Sequence, residues 1–515
     1  MRSAFHGLEV GKRALFAQQA AMHTTGHNIA NANTEGYTRQ RAHLQAAPPI
    51  PHPGWQIDRA PGQIGTGVTV AALERMRVDF LDVQYRGQAK HAGYWTAKAD
   101  ALSKLEVLFN EPSDSGLQVV LDRFWQAWQD LAKEPESLAA RAVVRQRGVA
   151  VAETLAALHR GLMEHQRDLN DVVRVKVDEI NAIAAQIRDL NLQIARVVPH
   201  GYQPNDLYDQ RDVLLDRLAR LVDVRTEPAA NGMINVYIGG QLLVEGTTAN
   251  TVTAEPDAQG LYAVRLNGSD LALTSGELLG HLEARGHVVN GEVVGIIPSF
   301  LKRLNDLAVA LAKEINDLHR AGMNLDDIQN RRTNPNAALD QLPFFIDRAW
   351  YEANPNALND PNLDPTTIPD PSDAANVMVN PLILASLNKI AAATPDPNTG
   401  TSSEGDGSNA RTIAAIKFKT ITQGLPETST LDDFYRYTIA QLGVDSQEAQ
   451  RMKANSELLA GEIASRRESV SGVSLDEEMA NLVKFQHAYN AAARLITTID
   501  EMLNRVINGM GRVGL

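Results

Sequence analysis

Apolar side chains recur every seven residues at both ends of this 515-residue chain. A strict seven-residue period is typical of an α-helix that packs lengthwise along another helix. Near the amino terminus, the apolar positions seven apart are Leu8, Leu15, Met22 and Ile29. Near the carboxyl terminus, the steps alternate between four and three residues, and the apolar or aromatic positions are Leu475, Met479, Leu482, Tyr489, Ile496, Leu503 and Ile507. Chain ends usually fray, so patterned ends predict surfaces made for helix packing.

Polar residues fall within both of these predicted seams. Lys12 and Gln19 interrupt the first, and Gln486 and Asp500 interrupt the second. An isolated helix of this kind lacks the tertiary burial that would hold it folded. We therefore expect the two ends to pair conditionally and to become fully ordered when the chain assembles.

The sequence between the ends predicts a multidomain chain, mainly α with inserted β. Apolar spacing of three and four residues indicates a long helix over 169–197, while Asn231-Gly232 and Asn267-Gly268 are strong hairpin signals. Seven prolines lie between Pro335 and Pro371. We expect paired terminal coiled-coil helices (1–45 and 472–515), a helical rod or bundle domain (46–222 and 404–471), a small β unit followed by a long helix (223–325) and a Pro/Asn-rich outer insertion (326–403).

Composition removes several classes of function. The chain has no cysteine, which excludes disulfides, zinc–thiolate sites and a cysteine nucleophile. A net charge of −13 argues against nucleic acid as a partner, because phosphate backbones are bound by clustered Lys and Arg. No stretch approaches the roughly 18 apolar residues of a membrane span, so we expect no membrane insertion. The first residues also lack the apolar core of a cleaved signal peptide.

No set of residues predicts catalysis. His23 and His27 have the spacing of paired zinc ligands, but the glutamate of that motif and a third ligand are missing, so solvated histidines are the better interpretation. The Gly7 to Lys12 stretch departs from a phosphate-binding loop in spacing. Acidic residues lie mostly beside Lys or Arg, as on solvated helix faces. We expect no enzyme activity, no cofactor and no metal.

Specific residues in the same end segments resemble a known family. The run from Asn28 to Tyr37, Asn-Ile-Ala-Asn-Ala-Asn-Thr-Glu-Gly-Tyr, is similar to the amino-terminal signature of bacterial flagellar rod, hook and hook-associated proteins. The stretch 475–503 resembles their carboxyl-terminal signature. Internal stretches at 204–212, 235–240 and 276–280 are more similar to a hook-associated subunit than to a hook subunit. Asn31, Gly36 and Tyr37 therefore join the two seams as the candidate assembly interface.

The resemblance implies a structural role and a set of partners. Such a subunit is exported unfolded by the flagellar type III export apparatus, without a cleaved signal, and an export chaperone of the FlgN type holds its C-terminal helix. It polymerises as a homo-oligomer through both terminal helices in the extracellular flagellum. The hook protein then lies on one side of this hook–filament junction and the next hook-associated protein on the other. The alternatives are a hook or distal rod subunit and, remotely, a secreted peptidoglycan hydrolase with coiled-coil ends.

Overall fold

The computed structural model describes residues 5–49, 65–289, 291–360, 363–422, 424–425 and 428–509. The chain is mainly helical with small sheets, as the sequence predicts. Its α-helices are α1 (His6–Ala30), α2 (Asp79–Phe109), α3 (Leu117–Lys133), α4 (Leu138–Val197), α5 (Asn205–Leu221), α6 (Glu277–Arg285), α7 (Ile296–Ala321), α8 (Leu325–Thr333), α9 (Arg348–Ala353), α10 (Pro381–Ala385), α11 (Ser408–Ala415), α12 (Leu431–Ser471) and α13 (Leu475–Gly509).

The strands form small antiparallel sheets. They are β1 (Gln40–Ala46), β2 (Val68–Arg75), β3 (Val224–Pro228), β4 (Ile234–Ile238), β5 (Gln241–Glu245), β6 (Thr248–Ala249), β7 (Val252–Pro256), β8 (Tyr262–Leu266), β9 (Ser269–Asp270), β10 (His287–Val289), β11 (Glu292–Val294), β12 (Phe345–Asp347) and β13 (Val377–Val379). The hairpin β1–β2 lies against α1, so the amino-terminal helix has a strand layer on one side and α13 on another.

The helix α4 is 60 residues long and organises the molecule. At 1.5 Å per residue it is about 90 Å long. The Ser137 side chain caps its start by accepting a hydrogen bond from Ala140 N–H, and Pro199 follows its end. Its buried side chains belong to two successive hydrophobic cores, the first reaching Leu169 and the second beginning at Val173.

The first core lies between helices α2, α3, α4, α7, α11 and α12. Its centre is aromatic: Phe124, Trp128, Phe344 and Phe345 stack with ring centroids 4.9–6.2 Å apart. Such tilted and edge-to-face ring pairs stabilise a core beyond the area that they bury.

Part of the predicted outer insertion, 326–403, belongs to this first core, which corrects the sequence expectation. Phe344 and Phe345 are fully buried, and β12 pairs with β13 within the same cluster as α3 and α4. The buried Arg141 side chain of α4 donates to Pro135 O at 2.8 Å and to Ile390 O at 2.6 Å. The prolines shape the connecting loops, but the short apolar runs between them supply core side chains.

His319 of α7 forms hydrogen bonds to the 326–403 segment through both of its ring nitrogens. Nδ1 donates to Leu342 O at 2.6 Å, and Nε2 accepts from Ala391 N–H at 3.0 Å, so the ring is neutral. Burial, with Arg141 and Arg320 nearby, lowers the pKa of His319 from 6.5 to about 4, although the bond to Leu342 acts in the opposite direction.

The titration of His319 predicts a pH dependence. Between pH 6.5 and about 4 the unfolded chain binds this proton and the folded chain does not, so stability is lost as the pH falls. His319→Gln keeps a donor for Leu342 O but does not titrate. From pH 7 to 4.5 we expect wild type to lose about 2–3 kcal/mol more unfolding free energy than this variant, measured by denaturant titration. Parallel pH profiles would contradict the assignment.

The second core joins the distal half of α4 and the helix α5 to the β unit. Sheets β3–β4–β5–β6 and β7–β8–β9 cover it. Both predicted Asn-Gly turns are present: Asn231 and Asn267 have φ of 56° and 52°, and the glycines after them are also left-handed. These backbone angles are the ones that Asn and Gly tolerate in tight hairpin turns, which is why the sequence signal was reliable here.

Candidate assembly site at the paired chain ends

The helices α1 and α13 pack against each other in antiparallel orientation. A Cβ added at Gly7 would lie 2.8 Å from Ile499 Cδ1, and one at Gly11 would lie 2.7 Å from Ile496 Cγ1. At the other end, Asn28 Nδ2 donates to Glu478 Oε2 at 2.9 Å. Residue numbers therefore rise along one helix as they fall along the other.

Small side chains on α1 make this close approach possible. The buried α1 residues are Gly11, Ala17, Ala21, Thr24, Thr25 and Asn28. The facing side of α13 contains the buried Glu478 and Ala492 and the half-buried Leu482, Phe485, Tyr489, Ile496, Ile499 and Leu503. The contact is a small-residue face of α1 against a larger apolar face of α13.

The structure corrects the predicted register of this contact. The four polar residues that were expected to interrupt the seams, Lys12, Gln19, Gln486 and Asp500, are all exposed and lie outside the contact. In α13, Phe485 and Ile499 take the places that the sequence pattern gave to Gln486 and Asp500. Since Gly and Ala allow closer helix approach than Leu or Met, α1 turns its small residues toward α13.

Because α1 presents its small residues to α13, several residues that the sequence placed in the interface lie at the edge of the helix contact or on its surface. On α1, Leu8, Leu15, Met22 and Ile29 are half-buried at the edge of the contact. On α13, the half-buried Leu482, Tyr489, Ile496 and Leu503 belong to the side that faces α1. Leu475, Met479 and Ile507 are 49%, 52% and 68% exposed. Phe16, Leu495, Met502 and Val506 are further exposed apolar side chains of the two helices. Apolar surface of this extent on one element marks an interaction site.

Asn28 links α1 to the strand hairpin and to α13. Its Nδ2 group donates to Gln40 O at 2.8 Å as well as to Glu478, and its Oδ1 atom accepts from Gln40 N–H at 3.0 Å and Tyr37 OH at 2.8 Å. Asn28 is 1% exposed, and its bonds with Gln40 and Glu478 are buried, while the bond from Tyr37 is partly buried. Arg39 completes the link by pairing with Glu477 at 2.6 Å and Glu478 at 2.7 Å.

The loop after α1 is fitted closely to α5. Gly36 has a φ of +74°, and a Cβ there would collide with the Val213 side chain, so the position requires glycine. Asn31 caps α1 by donating to His27 O at 3.0 Å. Tyr37 is half-buried, and burial, with Asp206, Asp209 and Glu478 nearby, raises the pKa of its hydroxyl above the usual range.

A cluster of ion pairs connects this loop and hairpin to the helical part of the chain. We call it the junction cluster; it consists of Arg75, Arg77, Arg86, Arg467, Asp82, Asp209, Asp212 and Asp216. The Arg77 guanidinium group donates two hydrogen bonds to the Asp82 carboxylate, at 2.6 and 2.9 Å. Arg467, near the end of α12, pairs with Asp216 and lies 4.4 Å from the Tyr85 ring centre.

Asp212 is the central acceptor of the junction cluster. Its carboxylate oxygens lie 2.9 Å from a guanidinium nitrogen of Arg75, 3.2 Å from one of Arg86 and 3.4 Å from one of Arg77. Burial alone would raise the pKa of Asp212, but these three guanidinium groups hold it below its ordinary value. At Asp209 burial dominates, so the pKa of that carboxyl is raised in spite of the Thr38 N–H and Arg75 bonds. Sequence analysis missed this cluster because its residues are far apart in the chain.

Comparisons with known proteins agree on one family. Family models match residues 8–38 (flagella basal body rod protein), 102–332 (flagellar hook-associated protein FlgK helical domain) and 465–509 (flagellar basal body rod FlgEFG protein C-terminal). Flagellar hook-associated protein 1 of Bacillus subtilis (strain 168) is 36% identical over 535 residues, which cover 99% of this chain and 99% of that relative. The chain belongs to the flagellar hook-associated protein 1 (FlgK) family.

More distant FlgK proteins match over similar lengths. Flagellar hook-associated protein 1 of Escherichia coli (strain K12) is 25% identical over 550 residues, which cover 96% of this chain and 98% of the relative. The structure of the flagellar hook junction protein FlgK from Burkholderia pseudomallei superposes with a TM-score of 0.57 at 15% identity. It covers 76% of this chain and 100% of that chain, and at this identity it supports the fold alone.

The two family models that match the ends of the chain cover the segments that pair in the structure. One covers α1 and its following loop, and the other covers the end of α12 with α13. The matched relatives are structural flagellar proteins and not enzymes. His27 contacts Asp206 at 3.2 Å, and the described residues contain no group of three potential metal ligands. A search of the described helices found none that is long and apolar enough to span a membrane.

Proposed function

We propose that this chain is the subunit of the hook–filament junction and polymerises through α1 and α13. The observation that carries the proposal is the terminal helix pair, which is formed within one chain and still exposes apolar side chains along both helices. Burying such surface between copies gains about 25 cal/mol for each Å² of apolar area. The folded chain is thus ready to add to a growing structure at its ends.

The proposed partners follow from the same surface. In an assembled junction, neighbouring copies cover the exposed side chains of α1 and α13, with the hook protein below and the next hook-associated protein above. Before assembly, an export chaperone of the FlgN type covers α13, and the flagellar type III apparatus exports the unfolded chain to the cell exterior. The absence of cysteine is compatible with this route, since no disulfide has to form or open.

We also propose a domain organisation for the chain. Residues 1–45 and 472–515 form the assembly domain, 46–222 and 404–471 form the helical domain, and 223–325 contains the β unit with its following helix. Since Phe344 and Phe345 are packed in the helical core, we assign much of 326–403 to the helical domain and not to an outer insertion.

Two neighbouring residues of α13 offer a matched test. Met479 is exposed, whereas Leu482 is half-buried against α1. Met479→Asp should leave the isolated protein as stable as wild type, within about 0.5 kcal/mol, because an exposed site tolerates a charge. In cells it should prevent filament growth. Leu482→Asp should prevent filament growth and also loosen the terminal pair in the isolated protein, seen as faster proteolysis of both ends.

The variants are expressed in a strain that lacks the gene, and electron microscopy counts hooks with and without filaments. The deletion strain itself should show hooks without filaments; a loss of the hooks would favour the hook or distal rod subunit. Val175→Asp is the control, because Val175 is an apolar residue of α4 with a similar exposed fraction, 59% against 52% for Met479. If Met479→Asp cells grow normal filaments, polymerisation does not use this face of α13.

A further inference from the structure

A groove lies beside the junction cluster, between α2, α5, α12 and the loop 35–38. Its volume is about 560 Å³. Part of its lining consists of small residues on two facing helices, Ala89 and Ala92 on α2 with Ala460, Gly461 and Ala464 on α12, and charged side chains of the junction cluster lie beside them. Gly461 is exposed, and a Cβ added there would meet no other atom within 4 Å. The Ala/Gly-lined part of the groove therefore has room for apolar side chains from outside.

A pair of apolar side chains projects from a different side of α2. Phe80 and Val83 are 65% and 67% exposed, and one turn further Gly87 opens to solvent, without an atom within 4 Å of an added Cβ. The aromatic ring of Phe80 and the branched Val83 form a small knob on the helix surface. Exposed side chains of this size on one face mark a contact surface when they occur together.

The knob and the groove face away from each other. With 3.6 residues per turn, positions 80 and 83 lie about 120–180° around the α2 axis from positions 89 and 92. A chain therefore cannot place its own knob in its own groove. A second copy, displaced sideways, can do so, and the same contact then repeats from copy to copy.

Charges beside the two features are complementary. Asp79, next to the knob, is exposed, and Arg220, on the groove lining, is exposed. Neither of them pairs with an oppositely charged side chain of another described residue. Opposite charges flanking an apolar contact favour the correct register of two partners.

We infer that the Phe80–Val83 knob of one subunit fills the Ala/Gly-lined part of the groove of the neighbouring subunit, with Asp79 approaching Arg220. The contact is heterologous, since two different surfaces of the same chain meet, and it therefore builds rings or helical arrays. This inference rests on the proposed function, because it describes how the helical domains of neighbouring copies meet once their terminal helices have polymerised.

The cysteine-free sequence allows a direct test. In the double variant Val83→Cys with Gly461→Cys, every thiol is one of the two introduced. Hook–basal bodies are isolated from cells that express it and are treated with a short bismaleimide linker. We expect a ladder of covalently linked multimers of this chain, whereas each single variant should remain largely monomeric. Val175→Cys with Gly461→Cys is the matched control and should give no ladder.

The result separates this inference from the proposed function. Filament growth in the double variant shows that the subunit is incorporated, so absence of a ladder in such cells would overturn the knob-and-groove contact alone. A product linked to a protein of another mass would also overturn it. If the double variant is not incorporated, a second experiment exchanges the two charges. Asp79→Arg and Arg220→Asp should each reduce the number of filaments severalfold, and the two substitutions together should restore it. Failure of the pair to restore filaments would overturn the contact.

Discussion

Replacing Asp212 by Asn should destabilise the folded chain by about 3 kcal/mol and prevent assembly, because a buried cation that loses its partner is costly. The amide keeps the shape of the carboxyl but cannot neutralise Arg75, Arg77 and Arg86, which approach Asp212 within 2.9–3.4 Å. Asp209 and Asp216 remain nearby, so the expected cost is at the lower end of the range for broken buried pairs. Denaturant unfolding of the purified proteins at pH 7 measures it.

The pKa of Asp212 sharpens this test. Because the folded-state pKa lies below the ordinary value of 3.8, the stabilisation is present above that pH and is lost only as the pH falls through the folded-state pKa. The difference between wild type and Asp212→Asn should therefore be the same at pH 5 as at pH 7. Asp189→Asn is the control: Asp189 is exposed, and among the residues that the structure describes its ion pair is with the adjacent Arg188, so its loss should cost under about 0.5 kcal/mol. Equal stability of all three proteins would show that the junction cluster does not hold the fold.

Replacing Asn28 by Asp should detach the carboxyl-terminal helix from the strand hairpin. The new carboxylate would face Glu478 and the Gln40 carbonyl oxygen in place of the Nδ2 group that now donates to both. Loss of the donor and repulsion between buried charges together should cost several kcal/mol. We expect no filaments in cells, and in the isolated protein we expect rapid proteolysis within α13 while the helical core stays protected.

A second substitution tests whether charge is the cause. Glu478→Gln in the Asn28→Asp background places an amide donor opposite the new carboxylate and should recover a large part of the protection of α13. Gln129→Glu makes the same amide-to-carboxylate change at an exposed position of α3, away from the chain ends, and should leave both filaments and protection nearly intact. If Asn28→Asp alone behaves like wild type, Asn28 does not connect the chain ends.

The sequence predicted the features that depend on local periodicity and turn chemistry. The seven-residue repeats gave α1 and α13, and the Asn-Gly pairs gave the hairpins, because each signal lies within a few residues. It did not predict which face of α1 meets α13. Leu8 and Leu15 carry the stronger apolar signal, but Gly7 and Gly11 lie against Ile499 and Ile496 of α13, since close approach depends on size and not on hydrophobicity alone.

Long-range arrangements were not predictable from one sequence. Arg77, Asp212 and Arg467 are separated by 135 and 255 residues, and each alone resembles an ordinary charged residue on a solvated helix face. Only the folded chain brings their segments together. The burial of Phe344 and Phe345 was hidden for a similar reason, because prolines on either side suggested an exposed loop.

The single helix α4 has a mechanical consequence for a rotating organelle. One uninterrupted run of backbone hydrogen bonds passes through both hydrophobic cores, so the β unit has no hinge about which to swing relative to the helical domain along this helix. Bending α4 would require breaking helical hydrogen bonds, so we expect it to act as a stiff connection between the two cores. If torque reaches the subunit through its terminal helices, we expect the β unit to turn in phase with the helical domain, without the lag that a flexible linker would introduce.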